Sequence, residues 1–409
     1  MNSISLLAGP DRASGAEPMR DHLVRLGPMP PSGPVVVDLL ERSGLRGCGG
    51  AAFPAATKWR AVAAQPDAAP VILVNGAEGE PLSGKDRLLM EIRPHLVLDG
   101  AALAAETLGA QEVVLYIGAS HSVASEAMAR ALRERPESER RRTRMVSAPA
   151  HYVSGEESAA VHYVNDGVAL PTTVPPRPFE RGVAGRPTLV QNVETLAHAA
   201  MIVRFGAEWF RGLAHDGSVG TALLTISRAG AVQTVVEVPQ GLALGDVVGA
   251  VCGTSSPPSA ILLGGYFGAW VAAGSVPDLP IDPAMLRARG YTLGCGVLAM
   301  LPAARCGVVE TSRILNYLAG QIARQCGPCV FGLRSIADAL HRIAARSSGD
   351  DELHRVQRWA GQLAGRGACR HPDGAASLLH SGLAVFADEF ALHQQQRRCS
   401  VGTITAEAA

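Results

Sequence analysis

The sequence predicts an α/β fold. A mostly parallel sheet with helices on its faces comes first, then a small β-rich module, then a C-terminal four-helix unit. Three observations predict it. Strand and helix signals alternate from Val35 onward, which sets successive strands parallel with both faces covered. Between Thr221 and Ala272 the pattern changes to short apolar strands. From Glu310 the chain reads as one amphipathic helix after another with short links. At 409 residues the chain is long enough for two or three domains, each with its own core.

The elements follow in order. Residues 1–34 are rich in Pro, Gly and Arg and read as an irregular N-terminal extension. Residues 35–220 form the α/β domain. There VILV is a buried strand that runs into the polar, Gly-rich NGAEGEP, and LVLDGAALAAETLGA is a helix. EVVLYIG is a second strand, and HSVASEAMARALRERPE a helix with apolar i, i+3, i+4 spacing. ALPTTVPPRPFERGVAGRP holds too much proline for regular structure and reads as a long ordered loop or wrapping arm. In 221–275, TALLTIS, TVVEVP and AILLGG are strands and LGDVVGAVCG a short helix; 276–309 reads as a linker. In 310–400 the helices are SRILNYLAGQIA, CVFGLRSIADALHRIAARSS, LHRVQRWAGQLAGRG and AASLLHSGLAVFADEFALHQQ.

Composition excludes several functions. Apolar residues at 47% against charged residues at 18% mark a globular chain. Lys+Arg and Asp+Glu are both 37, so no basic field exists to hold nucleic acid or an anionic membrane. Aromatic content of 4% is too low for a base-stacking platform. MNSISLLAGPDRASG has no charged region leading into an apolar run, so it is not read as a secretory signal. The longest apolar run, Ala260 to Val276, is short and carries glycines, so a buried strand and turn are expected there and no membrane insertion. The eight cysteines are spread unevenly; reduced thiols in the cytoplasm are expected, with any cluster of them functional. Cys252 and Cys295, in apolar or glycine-rich settings, read as small core residues.

Five stretches carry chemistry. GLRGCGGAAFPAATKW has four glycines in seven residues, Gly44 to Gly50, which lets backbone approach a flat or phosphorylated ligand, and Lys58 can neutralise a phosphate. Alone it also reads as a surface loop. VNGAEGEPLSGKDRLL follows a strand, where open sheets bind ligands, and offers Glu78 and Glu80; alone it also reads as a solvated acidic loop. YVSGEESAAVHYVNDG offers Gly155, Glu156 and Glu157, in which helix capping is the stronger bare reading. GRPTLVQNVETLAH offers Gln191 and Asn192, amides able to read a heterocycle's edge, and Thr195; alone it reads as a capped helix start. RQCGPCVFG sets Cys326 and Cys329 at the spacing of one tight turn, which suits a metal, a cluster or a redox disulfide.

In this order the motifs resemble the NADH-binding flavoprotein subunit of respiratory complex I and its relatives in formate dehydrogenases and bidirectional hydrogenases, from roughly Val35 to His380. The resemblance implies FMN in the first loop, at the matching Gly47, Gly49, Gly50, Phe53 and Lys58. It implies further cofactor contacts at Asn75, Gly155, Gln191, Asn192 and Thr195, with Glu78, Glu80, Glu156 and Glu157 framing the flavin and nicotinamide pocket. It implies a ubiquitin-like β-grasp module in 221–275 and an iron–sulfur domain in 310–400. In that family Cys-x-x-Cys-x-x-Cys and a distal cysteine hold a [4Fe-4S] cluster. Here Cys326, Cys329 and Cys369 match, and Ala323 stands at the first position. For a fourth ligand Cys399 and His371 stand level, ahead of Cys306; an open site and a three-iron cluster are the other readings.

The chain departs from the family at Cys48 for arginine, Ala77 for aspartate, Gln191 for asparagine and, in an ungapped proline arm, Val174 for lysine. The implied activity carries electrons from NAD(P)H through FMN to the cluster and on to a ferredoxin-like or other redox protein subunit. The alternative is a non-catalytic conduit or assembly subunit that has lost NADH oxidation, which the departures motivate.

Overall fold

A computed structural model describes residues 4–65, 68–228, 233–252 and 258–401. The chain divides into two units. The first runs to Thr225 and adds Thr234–Leu242 and Gly294–Gly296; the second holds Ile226–Gln233, Ala243–Leu293 and the chain from Val297. The mixed α/β fold with a parallel sheet and a helical C-terminal region is the one the sequence predicts.

The first unit is built on β1 (Val71–Gly76), β2 (Glu112–Gly118), β3 (Thr143–Ala148) and β4 (Thr188–Asn192). They lie in the order β3-β2-β1-β4, and every neighbouring pair is parallel. The apolar run Val71–Val74 fills the middle of the sheet and is fully buried, as expected of a strand covered on both faces. The chain moves outward from β1 to β2 and β3, then returns to β4 on the other side. Such a reversal opens a crevice at the C-terminal strand ends, and register sets Asn75 beside Asn192 on its rim. The helices Pro94–Leu108 and Val193–Phe205 cross one face, and a Cβ at Gly100 would run into the Leu196 carbonyl, so glycine lets these backbones meet.

The extension 1–34 is not irregular throughout. It contains the helix Met19–Leu26, which buries His22 beside a single core leucine, Leu26. His22 Nε2 lies 2.7 Å from Asp99, Arg25 clasps Glu17 through two 2.7 Å bonds, and the Arg93 guanidinium donates to the carbonyls of Leu7, Ala8 and Pro10. Asp99 also receives Arg135 and Arg204. An ion-pair network holds this segment, which hydrophobic periodicity cannot reveal.

After β5 (Thr221–Arg228) and β6 (Thr234–Pro239), the second unit contains β7 (Ala260–Leu263), β8 (Ala269–Ala272) and β9 (Val297–Leu301). β7 pairs antiparallel with both β8 and β9, with Ile261 opposite Val271 and Met300. The span 221–275 is thus not one self-contained module, because the division between units runs through β5. Nor is 276–309 a linker: it supplies the helix Pro283–Ala288 and β9, whose apolar VLAML completes the antiparallel set.

The helical end comprises Gly307–Gly320, Arg334–Ala344, Glu352–Leu363 and His371–Val385. Ile314, Leu315, Ile336, Leu340, Val356 and Leu379 are buried in its core. At Phe386 the chain turns through 88° into Ala387–Ala391 and Leu392–Gln396. Among the described residues no single helix is long and apolar enough to cross a membrane.

Candidate functional site

Three helix N-termini meet the C-terminal edge of the parallel sheet, and side chains of this chain cap each one. Glu78 accepts from Asp86 N at 3.0 Å, Arg87 N at 2.9 Å and Ser83 Oγ at 2.6 Å, closing the helix Lys85–Ile92. Its φ of +41° is unusual for a residue with a side chain, and these bonds hold it there. Glu156 accepts from Ser158 N and Ala159 N, both at 3.0 Å, at the head of Glu157–Asp166. Burial pushes its carboxyl above the usual range. Asn192 accepts from Glu194 N at 3.0 Å at the head of Val193–Phe205 and donates to Asp86 Oδ2 at 2.6 Å. Glu78, expected to frame the pocket, has both oxygens engaged by backbone N–H groups, and Glu156 its Oε2, which capping explains. Glu80 is buried, accepting from Leu82 N and the Tyr152 hydroxyl.

The Gly-rich loop folds over this edge. Arg46 bridges to Pro54, and Gly47 N donates to Phe53 O at 2.8 Å. Cys48 N donates to Thr195 Oγ1 at 2.9 Å, tying the loop to the helix after β4. Asn75 Nδ2 donates to Gly155 O at 2.8 Å, and Lys58 Nζ pairs with Glu157 at 2.6 Å. A Cβ on Gly79 would stand 2.7 Å from the Tyr152 carbonyl, so this glycine lets the Glu78–Glu80 turn lie against the segment leading to Gly155. Gln191, Asn192, Thr195, Asn75, Gly155 and the loop glycines are thus drawn to one edge.

Sequence reasoning missed the charged centre beneath the loop. Lys85 is 2% exposed, with Nζ 2.7 Å from Asp86 Oδ1 and 2.6 Å from Glu194 Oε2. Burial alone would lower its pKa, but the two carboxylates reverse that and hold it well above the ordinary lysine value. One buried cation serves two buried anions unequally. Burial opposes ionisation of Glu194, yet Lys85 draws it down to about 2. Asp86 is pushed by burial up to about 7, Lys85 notwithstanding. Lysine in the first turn of a helix, where the dipole favours anions, is the signal that marks such a buried partner.

The loop fits a flat, polar ligand such as FMN. Gly50 has φ +118° and nothing within 4 Å of where a Cβ would stand. Gly155 meets nothing nearer than Ala77 Cβ at 3.8 Å. Phe53 is 52% exposed. Gln191 Oε1 is buried with no hydrogen-bond partner among the described residues, an acceptor suited to an N–H on a heterocycle. Val174 is exposed in the proline arm.

In the helical unit, Cys326 precedes the π-helical turn Pro328–Leu333 that carries Cys329, and Cys369 lies just before His371–Val385. Burial pushes the Cys329 thiol up to about 12, and the neighbouring Cys326 and Cys369 add to this, so the three sulfurs share one locality. Ala323 is buried and offers no donor. A three-thiol set of this kind fits an iron–sulfur group. His371 is buried at the head of its helix, with Nε2 donating to the Leu318 carbonyl at 2.9 Å and its ring edge-on to Phe267. Cys399 joins a different group, with Cys306, Glu389 and His393. Cys295 keeps a protonated thiol, pushed far up by burial; the side chain of Cys252 lies outside the described residues.

The fold and these two donor sets define a flavin- and iron–sulfur-binding oxidoreductase subunit. Residues 40–201 match the Nuo51 FMN-binding domain, and residues 310–393 match the NADH-ubiquinone oxidoreductase-F iron–sulfur binding region. The chain is 30% identical to the second F subunit of NADH-quinone oxidoreductase in Rhizobium meliloti, over 89% of its own length and 90% of that protein. It is 28% identical to the NADP-reducing hydrogenase subunit HndC of Solidesulfovibrio fructosivorans, over 91% of this chain and 78% of the other. Among solved structures, an air-oxidised NAD+-reducing [NiFe]-hydrogenase superposes with TM-score 0.80 at 30% identity, covering 88% of this chain. The chain spans only 62% of that hydrogenase chain. The chain belongs to the family of NADH-quinone oxidoreductase F subunits.

Proposed function

We propose that this chain takes electrons from NAD(P)H through FMN to a [4Fe-4S] cluster and delivers them to a ferredoxin-like or other redox protein subunit in the cytoplasm. The observation that carries this reading is the orphaned Gln191 acceptor beside an open glycine cradle at the sheet's switch point. Bound FMN accepts two electrons as hydride and releases them singly, which matches a nicotinamide donor to a one-electron acceptor.

The residues divide the work. Two of the helix N-termini carry their own carboxylates, so phosphate falls to the N–H groups of Gly49 and Gly50 and to Lys58. Lys58 reaches it by exchanging Glu157, and both partners are partly exposed. Gln191 orients the ring edge, while Glu157, once exchanged from Lys58, is the carboxylate offered to ribose hydroxyls or a carboxamide. Asn192 and Thr195 hold the loop in register with the sheet. Cys326, Cys329 and Cys369 hold the cluster; His371, buried beside Cys369 with Nε2 on the Leu318 carbonyl, is the candidate for a fourth ligand, and Cys399 lies with another group.

The test is an anaerobic absorption spectrum of the iron-reconstituted chain before and after NADH, with flavin and iron assayed on the same sample. Flavin bands that bleach over a broad sulfur-to-iron shoulder support the reading. A cluster without flavin, or with flavin that NADH leaves oxidised, overturns it in favour of a non-catalytic conduit, the reading motivated by the departures at Ala77, Gln191 and Val174.

A further inference from the structure

The second thiol group of the helical unit takes no part in the chemistry above. Cys306 stands at the N-cap of Gly307–Gly320. Glu389 and His393 are four residues apart beyond the 88° turn, and Cys399 follows. One donor atom from each of the four lies within 4.8 Å of the other three. Cys306 Sγ is 3.7 Å from Glu389 Oε1 and 3.5 Å from His393 Nε2, and Nε2 is 3.2 Å from Glu389 Oε1. Donors bound about 2.0–2.3 Å from a tetrahedral Zn2+ stand about 3.3–3.8 Å from one another, so the spacing is that of a metal's ligand shell.

The imidazole adds a second, independent argument. His393 is 1% exposed, and both its nitrogens face oxygen: Nδ1 the Ile343 carbonyl at 3.2 Å, Nε2 the Glu389 carboxylate. A neutral ring has one N–H to give. When Nδ1–H goes to the carbonyl, Nε2 presents its lone pair to a carboxylate and a sulfur, and a cation among them removes the conflict. An imidazole oriented by a backbone carbonyl through its other nitrogen is the arrangement metal-bound histidines adopt. Ser400 N, donating to Glu389 Oε1 at 3.0 Å, orients the carboxylate in the same way.

We propose that Cys306, Glu389, His393 and Cys399 form a closed, structural site for one Zn2+ ion, separate from Cys326, Cys329 and Cys369. Two thiols, an imidazole and a carboxylate favour zinc over magnesium or calcium, which seek oxygen shells. With four protein ligands no position is left for substrate, which marks a structural rather than a catalytic metal. Binding releases the two thiol protons to solvent and leaves both thiolates on the metal. The ion fastens the segment beyond Phe386 to the start of Gly307–Gly320, and Cys399 is thereby withdrawn from the iron–sulfur group.

The test titrates Co2+ alone into the metal-free full chain carrying Cys326→Ser and Cys369→Ser, so that the iron–sulfur group keeps only one thiol, Cys329. The expected result is a thiolate-to-cobalt charge-transfer band with intense visible bands of four-coordination, saturating at about one ion per chain. Zinc assayed on the untreated wild-type chain should reach the same stoichiometry. Adding Cys399→Ser should abolish the charge-transfer band or halve it, and Glu389→Gln should keep it at weaker affinity. No charge-transfer band in the Cys326→Ser/Cys369→Ser chain, or one that survives Cys306→Ser and Cys399→Ser together, overturns the site. So does a Cys306–Cys399 disulfide that, once reduced, gives no cobalt binding.

Discussion

Replacing Lys85 with Met keeps the length of the buried stem and removes its charge, leaving Asp86 and Glu194 without their shared cation. Breaking a buried ion pair from one side costs about 3–5 kcal/mol. The fold can limit that cost by protonating Glu194. For a glutamate of ordinary pKa about 4.3, protonation costs roughly 3.7 kcal/mol at pH 7 and roughly 1 kcal/mol at pH 5. The sign follows from linkage. In the wild type Glu194 is held at about 2, so its charge stabilises the fold above the unfolded pKa. In the variant its folded pKa lies above the unfolded one, so that contribution is present at low pH and lost as pH rises. The deficit should therefore grow by about 1.4 kcal/mol per pH unit between pH 5 and 7. Urea titrations of the flavin-free chain at pH 5, 6 and 7, followed by far-ultraviolet circular dichroism, measure it. A deficit below about 1 kcal/mol at pH 7, or one that grows on acidification, would refute the buried-cation argument.

Three other outcomes are expected. Glu78→Ala removes a cap with two backbone N–H partners and should lower stability by about 1–2 kcal/mol in urea titration, with Glu78→Gln losing less; unchanged stability with lost NADH oxidation would return Glu78 to the pocket. Gly79→Ala drives a Cβ into the Tyr152 carbonyl and should cost about 1–3 kcal/mol while lowering flavin content, read as fluorescence of released FMN; full flavin content contradicts the close approach. Cys326→Ser and Cys369→Ser should each lose the iron–sulfur shoulder, and folded His371→Ala should lower iron content, its Nε2 being held by the Leu318 carbonyl as the second nitrogen of a ligating imidazole is; wild-type iron in that variant would leave the three thiols as the protein's whole set.

What the sequence made legible follows burial. β1 and β2 stood out because strands covered on both faces are continuous apolar runs. β3 did not, because it is an edge strand and TRMVSA is largely half-buried or exposed; β4 is buried, but TLVQN is short and its last two residues are amides. The helix Met19–Leu26 escaped because a buried histidine and an arginine ion pair, with only Leu26 in the core, anchor it. At the site, glycine and cysteine spacing carried the resemblance, since both are read locally. Whether Glu78 and Glu156 face a ligand or cap a helix depends on where Ser83, Asp86 and Ser158 lie, and one-dimensional spacing leaves that open. Lys85 was hidden for the related reason that one of its partners, Glu194, is supplied by a distant helix.

Cys48, where the family places arginine, bears on how such a site ages. Reduced flavins that meet oxygen form peroxide, and peroxide oxidises thiolates far faster than thiols. Burial, with the Glu194 charge behind it, lifts the Cys48 thiol well above its ordinary range, so it stays protonated. A thiolate within an FMN-binding domain would otherwise be open to the peroxide of each misdirected turnover. Here the carboxylate that holds Lys85 also shields that sulfur, and the loop tolerates an oxidisable residue in place of a permanent cation.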